Sequence, residues 1–172
     1  MASTVTELMM RRMGAKSGSA IDWESIARGM IDFTTQFSLG ADVAQAFEGM
    51  TTYGRRCFYS RPNLIGDVVL PESITSLNNS EVFYNCNGVT SVTIGANCST
   101  INNTVFQSMG NAMKALIINR TTPPTLSGAN FLSGTASCII YVPDAAVNDY
   151  KTATYWSSYA SRISPMSDLP TT

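Results

Sequence analysis

The segment ITSLNNSEVFYNCNGVTSVTI, at residues 74–94, ends in the apolar triplet Val92-Thr93-Ile94. Similar triplets begin at Val68, Leu116 and Ile140, and the interval from each triplet to the next is the same. Alternate residues of a strand point to the same side, so each triplet offers two inward-facing apolar side chains. Because the offset is constant, successive strands can stack in register. The spacing predicts a β-rich solenoid with a repeat of roughly 24 residues.

A second marker lies between the predicted strands, at one phenylalanine per repeat. The four residues stand 25, 23 and 25 positions apart: Phe58, Phe83, Phe106 and Phe131. We expect each ring to fill the interior opposite its strand. The alternative that the pattern leaves open is a β-sandwich whose strands are regularly spaced.

An earlier, degenerate turn of the repeat precedes residue 68. The sequence Leu39-Gly40-Ala41 echoes Ile94-Gly95-Ala96. The interval from Leu39 to Leu70 is longer than the period, which we interpret as a loop insertion near Gly49–Tyr53. The predicted solenoid therefore has about five rungs between residues 37 and 143.

The residues that follow Val142 predict a helical capping segment at 144–172. Asp144 can accept an unpaired backbone N–H at the start of a helix over Ala145–Ala153. A second short helix is predicted from Tyr155 to Arg162. It would cover the last rung, which otherwise exposes apolar surface, with three side chains: Trp156, Tyr159 and Ile163.

The first 36 residues predict a separate helical segment for attachment or oligomerisation. A capping box at Thr4–Glu7 opens a short helix. Four apolar residues follow on one face of this helix: Val5, Leu8, Met9 and Met13. We expect this face to dock on a partner protein, because methionine side chains pack adaptably. The alternative is that it folds back on its own solenoid.

A second helix is predicted after a short link. Residues 14–20 are rich in Gly and Ser and predict a flexible connection. Asp22 then caps a helix with an apolar side, formed by Trp23, Ile26, Ala27 and Met30. The link would let the first helix detach and reach a partner.

The repeat resembles a known family. The turn from Ile74 through Phe83, Cys86 and Val89 to Ile94 looks like the leucine-rich repeats of the BspA type, and the stretch from Tyr141 to Ile163 looks like the end segment of such arrays. The resemblance covers roughly residues 37–166. It implies binding or adhesion at bacterial surfaces.

The N-terminal segment carries a second resemblance. Glu7–Met13 and Ile21–Gly29 are similar to short proteins encoded by bacteriophages and prophages of gut bacteria. This resemblance implies a non-enzymatic virion structural protein, such as a capsid decoration or tail fibre. It would be made in the host bacterial cytoplasm, since no secretory signal is recognisable. The expected partners are capsid or tail proteins, further copies of the chain, and a glycan or protein of the host surface. The alternative is a bacterial leucine-rich-repeat surface or interaction protein.

Composition argues against several other functions. Charged residues make up 13% of the chain, the net charge is −1 and histidine is absent. Nucleic-acid binding needs clustered Lys and Arg, and histidine is the commonest general base and metal ligand. The sequence therefore predicts no catalytic, cofactor or metal site and no enzyme. No apolar run is long enough to span a membrane. Two disulfides are possible among Cys57, Cys86, Cys98 and Cys138, but their apolar neighbours favour buried free thiols.

Three tyrosines are the candidate surface contacts, because Tyr offers amphipathic contact area at low entropic cost: Tyr53, Tyr59 and Tyr84. The turns are dense in Asn, Ser and Thr. We expect these side chains to satisfy backbone groups of the turns. The alternative is a neutral polar surface for glycan or protein contact.

Overall fold

A computed structural model describes residues 37–39 and 49–170, and strands in this part of the chain form two parallel sheets. The larger sheet has the order β1-β2-β4-β6-β8-β9 and the smaller has the order β3-β5-β7. The strands are β1 Phe37–Leu39, β2 Leu64–Val69, β3 Ser76–Leu77, β4 Gly88–Ile94, β5 Thr100–Ile101, β6 Ala115–Ile118, β7 Thr125–Leu126, β8 Ile139–Val142 and β9 Ile163–Pro165. From β2 to β8, successive strands along the chain therefore belong alternately to the larger and to the smaller sheet.

The larger sheet confirms the register that the triplets predict. Val68 pairs with Val92, Val92 with Leu116, and Leu116 with Ile140. All four side chains have 0% exposure. Since neighbouring strands are parallel and start one repeat apart, the chain has a repeat, solenoid-like fold and not a sandwich of antiparallel strands.

The start of the array differs from the prediction in register. We expected Leu39 to occupy the place of Leu70, but Leu39 pairs with Val68 and Phe37 pairs with Leu64, with an irregularity between them. The β1 strand is therefore shifted along its neighbour by two residues at Leu39 and by four at Phe37. Even-numbered shifts preserve the alternation of apolar residues along a strand, which is why the apolar pattern alone does not reveal them.

The segment Gly49–Tyr53 is not the predicted loop insertion. Its Gly49 N–H donates to Ser73 Oγ at 3.1 Å, and Thr51 O accepts from Thr75 N at 2.9 Å. These residues match positions 24 further along the chain, so they form a regular turn of the repeat. The additional residues of the first turn must lie before Gly49, outside the described residues.

The phenylalanine ladder lies inside the coil, as predicted. Phe58 and Phe83 stack with their ring centroids 5.0 Å apart, and Phe83 and Phe106 at 5.7 Å. Phe131 continues the series with 0% exposure. One buried phenylalanine ring per turn provides large apolar burial.

The C-terminal segment, residues 144–170, contains an α-helix and three 3-10 helices. They are the 3-10 helix Asp144–Ala146, α1 Val147–Thr152, and the 3-10 helices Trp156–Arg162 and Met166–Asp168. Both predicted helices thus occur, but the first is shorter and the second is 3-10. The β9 strand joins this segment to the larger sheet, because it pairs with β8.

Three aromatic side chains of this segment bond to the backbone of the last repeat. Trp156 Nε1 donates to Pro124 O at 2.7 Å, Tyr150 Oη donates to Arg120 O at 2.8 Å, and Tyr159 Oη donates to Ala129 O. The rings also pack edge to face, with Trp156 5.1 Å from Phe131. The polar end of each ring is therefore satisfied while its apolar body is buried.

Asp144 does not act as the predicted N-cap. The residue before the first 3-10 helix is Pro143, which makes no side-chain cap hydrogen bond. Asp144 Oδ1 instead accepts from Ser167 N at 3.1 Å. This bond ties the chain end back to the start of the C-terminal segment.

Candidate interaction surface

Tyr59 and Tyr84 lie side by side on the surface of the coil. Each directly follows a core phenylalanine, so its ring projects outward while the phenylalanine ring points inward. The two tyrosine rings stack with centroids 5.1 Å apart and planes 7° apart, and both residues are half-buried. The repeat brings them together, since they occupy the same position in successive turns.

Two arginines and a glutamate surround this pair. The Arg56 guanidinium carbon lies 4.9 Å from the Tyr59 ring centroid. Arg56 Nε donates to Glu81 Oε2 at 2.6 Å, and Arg55 Nη2 approaches the same oxygen at 3.4 Å. We name this group the tyrosine–arginine surface: Arg55, Arg56, Tyr59, Glu81 and Tyr84.

The charge of the tyrosine–arginine surface is positive. The hydrogen bond from Arg56 lowers the pKa of Glu81, so this carboxylate is ionised at neutral pH. One glutamate faces two arginines, whose side chains are 62% and 50% exposed. Such exposed pairs stabilise the fold little, so the arginines retain donors for a partner.

The Tyr59 ring is in contact with two other side chains of this surface. The Tyr84 ring stacks on it, and the Arg56 guanidinium lies over it as well. The surface thus combines aromatic rings with guanidinium groups, and Tyr and Arg are enriched in protein–protein interfaces.

Tyr53, the third predicted contact residue, is buried and we correct that prediction. Its side chain is 1% exposed and packs edge to face on Phe58 and Phe83, at 5.5 and 6.0 Å. Burial raises the pKa of its hydroxyl. Tyr53 stands one repeat before Leu77, an inward position, and this spacing is the signal that could have placed it in the core.

Turn asparagines bond to the backbone of the preceding repeat, as expected for a structural role. Asn79 Nδ2 donates to Tyr53 O at 2.6 Å, and Asn97 Nδ2 donates to Glu72 O at 2.8 Å. Asn102 Nδ2 donates to Asn78 O at 3.1 Å. These amides connect neighbouring turns of the coil.

All four cysteines are free thiols, and three of them are buried: Cys86, Cys98 and Cys138. Burial raises the pKa of Cys86 and of Cys138 to about 11. Burial also raises the pKa of Cys57, although this residue is exposed. Protonated thiols are poor nucleophiles at neutral pH.

Within residues 37–39 and 49–170, no group of three or more His, Cys, Asp or Glu side chains could hold a metal ion. None of the helices in the described part of the chain has the length and apolarity needed to cross a membrane. The predicted docking residues of the first segment fall outside the described residues: Val5, Leu8, Met9 and Met13.

The repeats match a known protein family. A family model described as the BspA type leucine-rich repeat region, in 6 copies, matches residues 44–131. The matched region includes the tyrosine–arginine surface. No curated protein matches the chain.

Proposed function

We propose, since the chain belongs to the BspA-type leucine-rich-repeat family, that it is a non-enzymatic module that binds another protein through the tyrosine–arginine surface. The family suggests a role in protein–protein interaction or adhesion. One observation carries the proposal: two stacked tyrosines and two exposed arginines are held together on adjacent turns of the repeat. Tyr and Arg are the residues most enriched in interface hot spots.

The positive charge of this surface favours an acidic segment on the partner. Arg56 lies over the Tyr59 ring, so a carboxylate that pairs with its guanidinium would also contact the tyrosine edges. Bidentate arginine–carboxylate pairs provide both orientation and affinity. The backbone of the coil is already ordered, so binding costs little conformational entropy.

The proposal extends to the architecture of the array. About five rungs between residues 37 and 143 would form a rigid body, and residues 144–172 would cap its last turn. The hydrogen bonds of Trp156 and Tyr150 to the last repeat support a capping role. Residues 1–36 would form the attachment segment.

We further propose that the module is a structural protein of a bacteriophage virion, made in the host bacterial cytoplasm. Capsid or tail proteins would bind the N-terminal face, and copies of the chain would associate there. The face consists of Val5, Leu8, Met9 and Met13. The support is the resemblance of the N-terminal segment to short phage-encoded proteins.

A variant of the N-terminal face tests the virion role. Particles released from the host strain should contain the chain, and Leu8→Asp should reduce its incorporation at least tenfold. Thr6→Asp places the same charge on the same predicted helix, off the apolar face, and should leave incorporation unchanged. Equal amounts of both variants in purified particles, measured by mass spectrometry, would refute this role.

The second candidate function is a bacterial leucine-rich-repeat surface or interaction protein, with which the family match is equally compatible. Capsid or tail genes beside the coding sequence would support the virion role, whereas an isolated position would support this alternative.

A binding measurement tests the tyrosine–arginine surface itself. The full chain should bind an immobilised peptide that carries an acidic segment, and Arg56→Glu should weaken this binding at least tenfold. Lys151→Glu makes the same charge change in α1, away from the surface, and serves as the matched control. Unchanged affinity of the Arg56 variant would exclude this surface as the contact site.

A further inference from the structure

The position that Tyr59 and Tyr84 occupy in the repeat continues into the next turn as Gln107. Each of the three residues directly follows a core phenylalanine. Ser60 N donates to Tyr84 O at 2.7 Å, and in the next turn Asn85 N donates to Gln107 O at 3.0 Å. Gln107 is therefore placed relative to Tyr84 as Tyr84 is placed relative to Tyr59. We name these residues the outer column: Tyr59, Tyr84 and Gln107.

The residue that follows each member of the outer column has a left-handed backbone. The angle φ is 52° at Ser60, 59° at Asn85 and 61° at Ser108. Residues other than glycine rarely adopt this conformation, and it persists where the surrounding structure requires it. In the next turn the conformation shifts by one residue, to Gly134, and the next position of the column is Leu132, which is buried. Within the described residues, the outer column thus comprises three turns.

The two ends of the outer column differ in chemistry. At one end the Arg56 guanidinium lies over the Tyr59 ring and is bonded to Glu81 through Nε. No other described residue bonds to the two terminal nitrogens of this guanidinium, so they can bind both oxygens of a carboxylate. At the other end Gln107 is neutral and half-buried. Its side-chain amide offers a donor and an acceptor, which match the C=O and N–H of a peptide backbone.

The length of the outer column corresponds to a short stretch of extended peptide. The ring centroids of Tyr59 and Tyr84 are 5.1 Å apart, close to the usual strand spacing of about 4.8 Å. Two such steps lead from Tyr59 to Gln107, a span of about 10 Å. Extended chain rises about 3.3 Å per residue, so about three residues cover this span.

We propose that the outer column binds an extended peptide that lies along the coil, with an acidic side chain on Arg56 and its backbone, about three residues away, on the Gln107 amide. This inference rests on the proposed function and adds the direction and the spacing of the partner segment. Glu81 lies in the middle turn, so a second acidic side chain at that point would meet a like charge. The partner segment therefore carries one acidic residue at the Arg56 end and neutral residues beyond it.

Two probes of different length test the proposal in NMR titrations of the ¹⁵N-labelled full chain. The long probe is an acetylated and amidated heptapeptide with one central glutamate and six alanines, which allows either chain direction. The short probe is acetylglutamate amide, which has no backbone beyond the acidic residue. The unmodified chain should bind the long probe at least threefold more tightly than the short one. Gln107→Ala should remove this difference, whereas Asn111→Ala, which truncates an exposed amide side chain outside the column, should preserve it.

Arg56→Glu separates this inference from the proposed function, because it should weaken binding of the long probe at least tenfold. If the long probe does not bind, or binds the Arg56 variant as tightly as the unmodified chain, both the proposed function and this inference fail. If Arg56→Glu weakens binding but the two probes bind the unmodified chain equally, or their difference persists in Gln107→Ala, only this inference is overturned.

Discussion

At Gly88 the repeat brings two strands closer than any side chain permits. A Cβ atom at this position would lie 2.7 Å from Leu64 O and 2.9 Å from Pro62 O. Both neighbours are backbone atoms, which cannot rotate away. Gly88 is the first residue of β4, which pairs with β2 along its length. A glycine is therefore required for close approach of these strands.

Gly88→Ala should lower the free energy of unfolding by about 2 kcal/mol, because the added methyl group forces the backbone of β2 to move. Urea denaturation measures this effect. Gly54→Ala is the matched control, since nothing lies within 4 Å of a Cβ at Gly54. If Gly88→Ala lowers the free energy of unfolding no more than Gly54→Ala does, the strands can move apart without an energetic cost.

The outcome for the three tyrosines shows what residue type alone can predict. The sequence favours Tyr59 and Tyr84 as amphipathic contact residues, and the structure places them together on the surface. Tyr53 has the same chemistry but stands in the buried position of Leu77. Position in the repeat, not residue type, decides which tyrosine is inside. The contribution of Arg56 and Glu81 was missed because their approach depends on the turn geometry between repeats.

Among the described residues, the largest buried side chain belongs to the 3-10 helix Trp156–Arg162. Trp156 is 1% exposed and packs on Phe131 and Tyr150, with ring centroids 5.1 and 5.0 Å away. Its N–H is bonded to Pro124 O. The residue thus joins the C-terminal segment to the last repeat through both packing and a hydrogen bond.

Trp156→Ala should lower the free energy of unfolding by about 3–5 kcal/mol, the range for truncating a buried aromatic side chain. Tyr155→Ala removes the adjacent aromatic side chain, which is 43% exposed, and should change stability by less than about 0.5 kcal/mol. Thermal unfolding followed by circular dichroism compares the two. Similar melting temperatures for both variants would argue against a stabilising contact between the C-terminal segment and the repeats.

The bond between Asp144 and Ser167 should make the C-terminal segment sensitive to acid. The backbone N–H of Ser167 lowers the pKa of Asp144 below its usual 3.8. A depressed folded-state pKa stabilises the fold above the usual value and loses this contribution as the pH falls through the folded-state pKa. Asp144→Asn should therefore flatten the fall in melting temperature below about pH 4. An unchanged acid profile in the variant would show that the bond contributes nothing.

Local patterns predicted the elements of this segment better than their contacts. The helical tendency of residues 145–162 was recognisable from the sequence, but the role of Asp144 was not. An acidic residue after a proline resembles an N-cap, whereas its partner Ser167 lies 23 residues later in the chain. Such a non-local bond has no signature in the surrounding sequence.

For the whole molecule, the regular period predicted the parallel sheet because every turn repeats the same inward positions. The pairings of Val92 with Val68 and Leu116 follow directly from this spacing. The first turn was predicted less well, since an even-numbered shift along the strand preserves the apolar pattern. Regular spacing therefore predicts the strand register only where several successive turns have the same length.

Nuclear Overhauser contacts between backbone protons of isotope-labelled protein test the stacking of the repeats most directly. Adjacent parallel strands place residues one repeat apart about 4.8 Å from each other. We expect contacts between Val68 and Val92, between Val92 and Leu116, and between Leu116 and Ile140. Contacts of an antiparallel pattern among these strands, or pairings at other offsets, would contradict the solenoid-like fold.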